Sequence, residues 1–381
     1  MKLSIKQTVL GLAASVIRNS SRERPADAVL RSELKNQPGV SRSESAEITG
    51  LVFAFYRWFG WLDIGQAIEH QIERASELGR RWERNPETFP ESELIERAVP
   101  GWTREQVQMT AEWARSLQSD PVLWLRARPG EGMRLASKLR DCRPFGLGPL
   151  SDILKYNGRQ DLFRTEEFHQ GAFEVQDISS QAVGLVCAPK PGQTWWDACA
   201  GEGGKMLHLS ALMGNKGLIW ATDRATWRLQ KLKRRAARAR TFNYRSREWH
   251  GGPTLPTRTR FDGVLVDAPC SGIGTWQRNP HARWTTTPAD VQELGEMQKR
   301  LLHHAATALK PGGKLVYSVC SLARSETVEV VEAFQAQHPE FEPFGIANPL
   351  VARAESSSQL WLWPQEFGGN GMFIAAWLRK R

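Results

Sequence analysis

The stretch Thr194-Trp-Trp-Asp-Ala-Cys-Ala-Gly-Glu-Gly-Gly-Lys205 decides the fold of the C-terminal half of the chain. Its bulky apolar start predicts a buried strand over residues 194–200, and the residues after the first glycines predict a helix over 203–212. Glycines at a turn from strand to helix let the backbone approach a ligand closely, as in nucleotide-binding α/β folds. The turn alone is weak evidence for a ligand, because it could equally serve close packing.

Outward from this stretch, strands and helices alternate from residue 177 to the end of the chain. We predict strands at 194–200, 217–223, 261–269, 313–321 and 371–378, and helices at 203–212, 225–240, 288–309 and 326–337. This alternation is typical of a parallel α/β sheet, in which ligands bind at the carboxyl ends of the strands. The candidate functional residues are therefore those that follow these strands.

The second of these strands ends in Asp223, 26 residues after Asp197. An acidic side chain at this place typically accepts hydrogen bonds from ribose hydroxyls, so the glycine turn and Asp223 together indicate a cofactor that contains a nucleoside. Glu202 lies beside the N-terminus of the predicted helix, where it disfavours a pyrophosphate, which needs that positive pole. It suits a ligand with a cationic end, such as S-adenosylmethionine.

The third and fourth strand ends each carry a cysteine, in Asp267-Ala-Pro-Cys270 and in Tyr317-Ser-Val-Cys320. A single cysteine at a strand end is usually a small buried side chain. Two cysteines on adjacent strand ends of a nucleoside-cofactor site are hard to explain by packing. They are therefore candidate reactive groups.

With these motifs the chain resembles the RsmB (Sun/Fmu) family of RNA 5-methylcytosine methyltransferases. The resemblance covers about residues 170–381 and, more weakly, the helical N-terminal part, which is similar to the NusB-like domain of that family. Besides the two cysteine motifs it includes Phe173-Glu-Val-Gln-Asp-Ile-Ser-Ser-Gln181 and the closing Gly368-Gly-Asn-Gly-Met-Phe-Ile-Ala-Ala-Trp-Leu-Arg-Lys380. The chain departs from the family pattern at Glu202, where proline is common, and near Trp249, where the acidic residue that contacts adenine has no clear equivalent.

The resemblance implies a reaction in which a cysteine thiolate adds to carbon-6 of cytosine, so that carbon-5 can attack a sulfonium methyl group. It implies that Cys320 is this nucleophile and that Cys270 assists its release. Asp267 would bind the cytosine edge near nitrogen-3 and stabilise charge there, and Lys205 would help to position the methyl donor and the base. The predicted cofactor contacts are Asp197, Ala198, Cys199, Ala200, Gly201, Glu202, Gly203, Gly204, Lys205, Asp223, Arg224 and Asp267.

The net charge of +10 is concentrated in one segment, since residues 224–260 hold twelve Lys and Arg and a single acid, Glu248. A local surplus of this kind favours a surface for a polyanion, and the resemblance implies that this polyanion is RNA. The predicted RNA contacts are Arg228, Lys231, Arg234, Arg235, Arg238, Arg278 and Arg283. The alternatives are a solvated basic helix and, for Arg278 and Arg283, structural ion pairs.

The chain of 381 residues is 41% hydrophobic and 24% charged, which predicts globular domains rather than disorder. We predict a helical NusB-like domain over residues 1–120, a small α+β linker domain over 121–175 and a Rossmann-like class I methyltransferase domain over 176–381.

Five cysteines without a C-x-x-C pattern indicate neither a disulfide framework nor a metal site. No apolar run reaches the ~18 residues of a membrane span, and residues 8–17 fit an amphipathic helix better than a signal peptide. We therefore expect a monomeric, cytoplasmic protein with reduced thiols that binds neither a metal nor a membrane.

The function favoured by these observations is transfer of a methyl group from S-adenosylmethionine to carbon-5 of an RNA cytosine, with small-subunit rRNA as the expected substrate. A tRNA substrate stays open. A DNA cytosine methyltransferase is disfavoured by the motif around Cys320, because such enzymes use the cysteine of a Pro-Cys motif as nucleophile. A catalytically inactive RNA-binding ribosome-assembly factor is disfavoured by the intact Cys270, Cys320 and Asp267, but Glu202 and the missing acidic residue near Trp249 keep this alternative open.

Overall fold

The computed structural model describes residues 5–381, which form two compact units. The first unit consists of the chain up to Pro121 together with Thr275–Asp290, and the second of Val122–Gly274 together with Val291–Arg381. Residues 1–4, at the start of the predicted helical domain, lie outside the described range. Two features differ from the predicted division. Residues 275–290 belong to the first unit, and the segment 122–175 belongs to the same unit as the large sheet.

The first unit is helical, as the sequence predicts for this part of the chain. Its helices before Pro121 are α1 (Gln7–Arg18), α2 (Ala26–Lys35), α3 (Arg42–Arg57), α4 (Ile68–Arg84), α5 (Glu91–Arg97), α6 (Thr103–Gln106) and α7 (Ala111–Ser116). A capping box begins α3, in which the Ser41 hydroxyl accepts from the N–H of Glu44 and the Glu44 carboxylate accepts from the N–H of Ser41. Phe55 and Trp58 are buried, so these aromatic residues form core rather than a binding face. The likeness to a NusB-like domain stays a prediction.

The second unit begins with a small antiparallel sheet. Its elements are β1 (Leu123–Ala127), α8 (Gly132–Lys138), β2 (Cys142–Pro144), β3 (Ile153–Tyr156), α9 (Glu166–His169) and β4 (Phe173–Val175). The strand order is β2-β3-β1-β4. Two side chains of β1 reach beyond this sheet: Trp124 Nε1 donates to the carbonyl of Gly368 and Arg126 to that of Gly204, both at 3.1 Å.

The large sheet of the second unit has eight strands in the order β10-β14-β9-β8-β5-β6-β7, with β13 paired to β14. The elements from residue 178 onward are α10 (Ile178–Cys187), β5 (Thr194–Asp197), α11 (Gly204–Leu212), β6 (Leu218–Asp223), α12 (Thr226–Arg238), β7 (Tyr244–Glu248), β8 (Phe261–Asp267), α13 (Pro280–Thr285), α14 (Pro288–Ala306), β9 (Leu309–Val319), α15 (Val328–Gln337), β10 (Phe341–Pro343), β11 (Ile346–Ala347), β12 (Ser356–Ser357), β13 (Gln359–Leu362), α16 (Pro364–Phe367) and β14 (Met372–Arg379). Of these, α13 lies in the first unit.

The last strand corrects the prediction of a parallel sheet. The pairs between β5, β6, β7, β8 and β9 are parallel, but β14 runs antiparallel to β9, with Ala375 opposite Tyr317. β14 is also antiparallel to β13, which it follows after the short α16 and Gly368, whose φ is 67°. A parallel neighbour would need a crossover of about a dozen residues or more.

The central strands of the large sheet are buried on both faces. Ile219, Leu265 and Val316 pack on one face, and Trp196, Val264 and Leu315 pack on the other. Burial on both faces explains why these strands read as nearly continuous apolar runs. In residues 5–381 no helix combines the length and the apolarity that crossing a membrane requires.

Candidate active site

Four strand ends meet at one edge of the large sheet. β5, β6, β8 and β9 are neighbours and run parallel, so the residues that follow them lie side by side. These residues are the glycine turn 198–205, Asp223, Cys270 and Cys320. The structure therefore collects the predicted catalytic residues and most predicted cofactor contacts at one place.

The turn after β5 requires glycine at two positions. Gly201 and Gly203 have φ values of 54° and 90°, in the left-handed region that most side chains avoid. A Cβ on Gly203 would also lie 2.8 Å from Cγ of Leu232. The N–H of Gly201 donates to Oδ2 of Asp223 at 3.0 Å, which holds the turn against the end of β6. The space beside Gly201 is open, since no atom of a described residue outside the adjoining chain lies within 4 Å of a Cβ built there.

Asp197, the last residue of β5, is a buried acceptor without a partner. It is fully buried, and neither carboxylate oxygen accepts a hydrogen bond of normal geometry from any residue in 5–381. Burial raises the pKa of this carboxyl to about 8, and the nearby Asp267 adds to the effect. A buried polar group of this kind costs free energy unless a donor reaches it. A ligand that brings donors or a cation would remove that cost, so Asp197 suits a cofactor contact.

Asp223 ends β6 and borders a cavity of about 180 Å³. Its Oδ1 accepts from the N–H of Ala225 at 2.8 Å, and the Arg228 guanidinium lies 3.9 Å from Oδ2. The other walls of the cavity include Trp249, Met297 and Arg300. The apolar side chains among these, Trp249 and Met297, lie beside a carboxylate, which fits a nucleoside. Within the described part of the chain Asp223 is the only acidic residue that lines this cavity, which agrees with the missing acid near Trp249.

Lys205 and Asp267 form an ion pair next to the two cysteine loops, with Nζ 2.7 Å from Oδ2. The hydroxyl of Ser318 donates to the other carboxylate oxygen of Asp267 at 2.8 Å. Burial lowers the pKa of Lys205, but the adjacent Asp267 carboxylate outweighs burial, so the pKa is raised and the ammonium stays charged. The pair therefore places two fixed charges where a polar base could be oriented.

Cys270 and Cys320 lie at the adjacent ends of β8 and β9 with their Sγ atoms 3.2 Å apart. Both side chains are half-buried. The hydrogen bond from Cys270 lowers the pKa of Cys320 in spite of burial, and the same bond raises the pKa of Cys270 well above its usual range. Cys320 is thus the thiol that ionises first, and the thiolate is the nucleophilic form.

The remaining cysteines have the opposite character. Burial raises the pKa of Cys142 to about 11, that of Cys187 to about 12, and that of Cys199 well above its usual range. All five cysteines are free thiols. Across residues 5–381 no three His, Cys, Asp or Glu side chains are placed to hold a metal ion.

Glu326 was not predicted as a site residue, yet it contacts both cysteine loops. It is fully buried, and its Oε1 accepts from the N–H of Ser271 at 2.8 Å and from Nε2 of Gln298 at 3.0 Å. The hydroxyls of Ser271 and Ser321 both donate to its Oε2. Burial raises the pKa of Glu326, although these hydrogen bonds oppose the rise. In the sequence it is only an acid near the start of a predicted helix, which is a common place for a solvated glutamate.

Helix α12 carries five of the predicted RNA contacts, and four of them already have acidic partners, including Arg228, which pairs with Asp223. Arg235 and Arg238 both pair with the buried Glu174. Lys231 pairs with Glu202, with Nζ 2.7 Å from Oε1. These cations therefore help to pack and orient α12, and less of their charge remains for a polyanion.

Other cations of the basic segment are exposed. Lys233 and Arg234 point away from the apolar side of α12, and no ion pair or hydrogen bond holds either side chain within the described residues. Arg278 is exposed as well. These three residues satisfy the simplest requirement of a phosphate contact, which is accessibility.

The prediction that Arg283 contacts RNA is wrong. Its side chain on α13 is fully buried in the first unit and donates to the carbonyls of Ala98 and Leu117, both at 2.9 Å. Burial lowers its pKa to about 9, and the nearby Arg57 contributes. A guanidinium enclosed by backbone carbonyls has a structural role, and counting charges along a sequence cannot reveal that enclosure.

Comparison with known proteins assigns the sheet to a family. A family model described as 16S rRNA methyltransferase RsmB/F matches residues 184–378. The chain is 33% identical over 298 residues to the probable ribosomal RNA small subunit methyltransferase B of Synechocystis sp. The aligned residues cover 73% of this chain and 66% of that protein. It is 36% identical over 227 residues to the corresponding probable methyltransferase of Bacillus subtilis, at 57% and 50% coverage. The chain thus spans about half to two thirds of the length of these curated relatives.

Solved structures agree with the fold. The crystal structure of PH0851 superposes with a TM-score of 0.80 over 100% of both chains at 23% identity. A methyltransferase homolog protein from Pyrococcus horikoshii gives a TM-score of 0.60 at 26% identity, over 71% of this chain and 90% of that one. NSun6 from Pyrococcus horikoshii, solved with SFG, gives 0.51 at 26% identity, over 58% and 57%. The predicted Rossmann-like class I methyltransferase fold is confirmed.

Proposed function

Because the chain belongs to the RsmB/F family of 16S rRNA methyltransferases, we propose that it transfers a methyl group from S-adenosylmethionine to carbon-5 of a cytosine in small-subunit rRNA. The observation that carries this proposal is the contact between two thiols, 3.2 Å apart, beside the Lys205–Asp267 ion pair. The names of the curated relatives support rRNA as the substrate class.

The residues at the strand ends fit this cofactor. NSun6 of Pyrococcus horikoshii was solved with SFG, an analogue of S-adenosylmethionine. Asp223 would bind the ribose hydroxyls, and Asp197, whose buried oxygens lack partners, would accept from the donors of the methionine part. The open space beside Gly201 leaves room for such a ligand. When bound, the cofactor supplies an electrophilic methyl group.

The chain's own residues prepare the cytosine for that methyl group. Cys320, the more acidic thiol, adds as thiolate to carbon-6, which turns the ring into an enamine with a nucleophilic carbon-5. Asp267, held by Lys205 and Ser318, binds the base near nitrogen-3, where charge develops. After carbon-5 has gained the methyl group, its proton passes to a solvent base and the electron pair of that C–H bond forms the carbon-5 to carbon-6 double bond. The carbon-6 to sulfur bond then breaks, and Cys320 leaves as thiolate. Cys270 assists this release.

The helical unit is proposed to act as a NusB-like RNA-binding domain, and Lys233 and Arg234 are proposed as phosphate contacts. Because both thiols must stay reduced for the reaction, we propose the cytosol as its location.

Methylation of unmodified RNA tests the function directly. The purified chain is incubated with S-adenosylmethionine carrying a labelled methyl group and with RNA from a strain that lacks this protein. We expect label in 5-methylcytidine of small-subunit rRNA, and bisulfite sequencing then locates the base. Label in tRNA instead would replace rRNA as the substrate. RNA and cofactor binding without any label would indicate an inactive assembly factor.

A further inference from the structure

Glu326 contacts both cysteine loops, which are the segments after β8 and β9 that contain Cys270 and Cys320. Ser271, which follows Cys270, donates its N–H and its hydroxyl to the Glu326 carboxylate. Ser321, which follows Cys320, donates its hydroxyl to the same carboxylate. The two hydroxyl oxygens lie 3.2 Å apart, because they share one carboxylate oxygen. Each thiol is therefore one residue away from an anchor on Glu326.

The anchor itself is fixed from two further sides. Gln298 on α14 donates to Glu326, and it also donates to the carbonyl of Pro269, next to Cys270. The Tyr317 hydroxyl donates to the backbone carbonyl of Glu326 at 2.7 Å. A fully buried carboxylate with four donors costs free energy to assemble, and a single solvated acid would stabilise a helix start equally well. The network therefore points to a requirement at the cysteine loops.

We propose that Glu326 is a positioning residue that ties the Cys270 loop to the Cys320 loop and so holds the two thiols in hydrogen-bond contact. The inference rests on the proposed function only for the parts that the two thiols play in the reaction. In this arrangement Glu326 acts on Cys320 through Cys270, because it sets the position from which Cys270 donates its hydrogen bond.

Besides burial, four ionisable groups act on the pKa of Cys320, namely Cys270, Asp267, Lys205 and Glu326. The strongest influence on the pKa of Cys320 is the hydrogen bond from Cys270, which lowers it. Burial and Asp267 raise this pKa, and Lys205 lowers it. The Glu326 charge also raises it and has the smallest effect. Tyr317 faces the same groups, and burial raises its pKa so that it stays neutral. Loss of Glu326 thus has two opposed effects on Cys320, and loss of the Cys270 contact is the larger. The net effect is a rise in the pKa of Cys320.

The rate of Cys320 alkylation by iodoacetamide as a function of pH measures this acidity without RNA or cofactor. Mass spectrometry of the peptide that contains Cys320 separates it from the other cysteines. We expect Glu326→Ala to move the midpoint upward by about one pH unit, the effect of losing one hydrogen bond to a charged group. Cys270→Ala should give a similar rise. In the Cys270→Ala background, Glu326→Ala should produce no further rise, or a small fall from the lost negative charge.

Two results would overturn the inference. One is an unchanged midpoint in Glu326→Ala, and the other is an equal rise with and without Cys270. Glu329→Ala, which removes an acid from the same helix start where it pairs with Arg324, is the matched control and should leave the midpoint in place. If Glu326→Ala does not fold, Ser271→Ala/Ser321→Ala removes the tie from the other side, and the same rise is expected. Because no substrate is used, failure of the proposed methylation would leave this result unaffected.

Discussion

The Sγ atoms of Cys270 and Cys320 lie 3.2 Å apart, well beyond the ~2.05 Å of a disulfide and close enough for a hydrogen bond between thiol and thiolate. The bond lowers the pKa of Cys320 and raises that of Cys270. Lys205 also lowers the pKa of Cys320, whereas the Glu326 charge raises the pKa of both thiols. This difference in pKa supports the proposed roles, with Cys320 as the nucleophile and Cys270 assisting its release.

Asp197→Asn should change how the stability of the cofactor-free protein depends on pH. The folded pKa of Asp197 is about 8, against ~3.9 in an unfolded chain, so the folded protein holds a proton that the unfolded chain loses. The free energy of unfolding of the wild type therefore falls as pH rises between these two values. We expect the free energy of unfolding of the variant to lack this fall. Relative to the wild type, the variant should therefore become more stable by about 2 kcal/mol as the pH rises from 5 to 8. Urea denaturation at both pH values measures the difference.

Glu332→Gln, at an exposed position, is the control for that experiment. Its free energy of unfolding should match that of the wild type at both pH values. The same fall in Asp197→Asn as in the wild type would show that another group causes it.

Much of the methyltransferase fold could be predicted because its strands and helices have strong local patterns. The predicted strand 261–269 appears as Phe261–Asp267, and the predicted helix 203–212 as Gly204–Leu212. The direction of Met372–Arg379 could not be predicted, since an apolar run reads the same for a parallel and an antiparallel neighbour. The extent of the first unit could not be predicted either, because residues 275–290 join it through contacts between residues distant in sequence.

The site residues also divide into those that the sequence pattern reveals and those that only the folded structure reveals. Asp223, Cys270 and Cys320 could be found because each ends a predicted strand, and ends of adjacent parallel strands must meet. Glu326 has no such marker, since only its burial distinguishes it from a surface glutamate. Arg283 was misjudged for the converse reason, because local charge carries no information on which arginines are enclosed.

Reversing two exposed cations should separate RNA binding from helix packing. In Lys233→Glu/Arg234→Glu we expect weaker RNA binding and a salt dependence flatter by about 1.5 to 2 units of slope, because each lost phosphate contact releases about one counterion fewer. Affinity for S-adenosylmethionine should stay the same. Filter binding across a range of salt concentrations measures the slope.

A matched reversal on the small sheet, Arg143→Glu/Lys155→Glu, changes the net charge equally at two exposed positions. It should leave the slope near the wild-type value. Equal flattening by both variants would mean that total charge, rather than the segment 224–260, governs RNA binding.

Arg283→Met should destabilise the first unit. The substitution leaves the buried carbonyls of Ala98 and Leu117 without their donor, at an expected cost of about 3 kcal/mol in the free energy of unfolding. Thermal unfolding followed by circular dichroism detects the loss. Arg278→Met, at an exposed position seven residues after Ser271, should change stability by less than about 0.5 kcal/mol. Equal stability of the two variants would remove the structural role assigned to Arg283.

The two cysteines should give variants that differ in kind when labelled RNA is run on a denaturing gel. Cys320→Ala removes the thiolate that adds to carbon-6, so we expect neither methylation nor a covalent RNA–protein band. Cys270→Ala keeps the nucleophile but lacks the group that assists its release, so methylation should be followed by a stalled adduct that survives denaturation.

Cys187→Ala, which changes a buried thiol away from this pair, should behave like the wild type apart from a loss of about 1–2 kcal/mol in stability. A band that persists in Cys320→Ala and disappears in Cys270→Ala would reverse the two roles, as in DNA cytosine methyltransferases. Absence of a band from both variants, with methylation intact, would exclude covalent catalysis by either thiol.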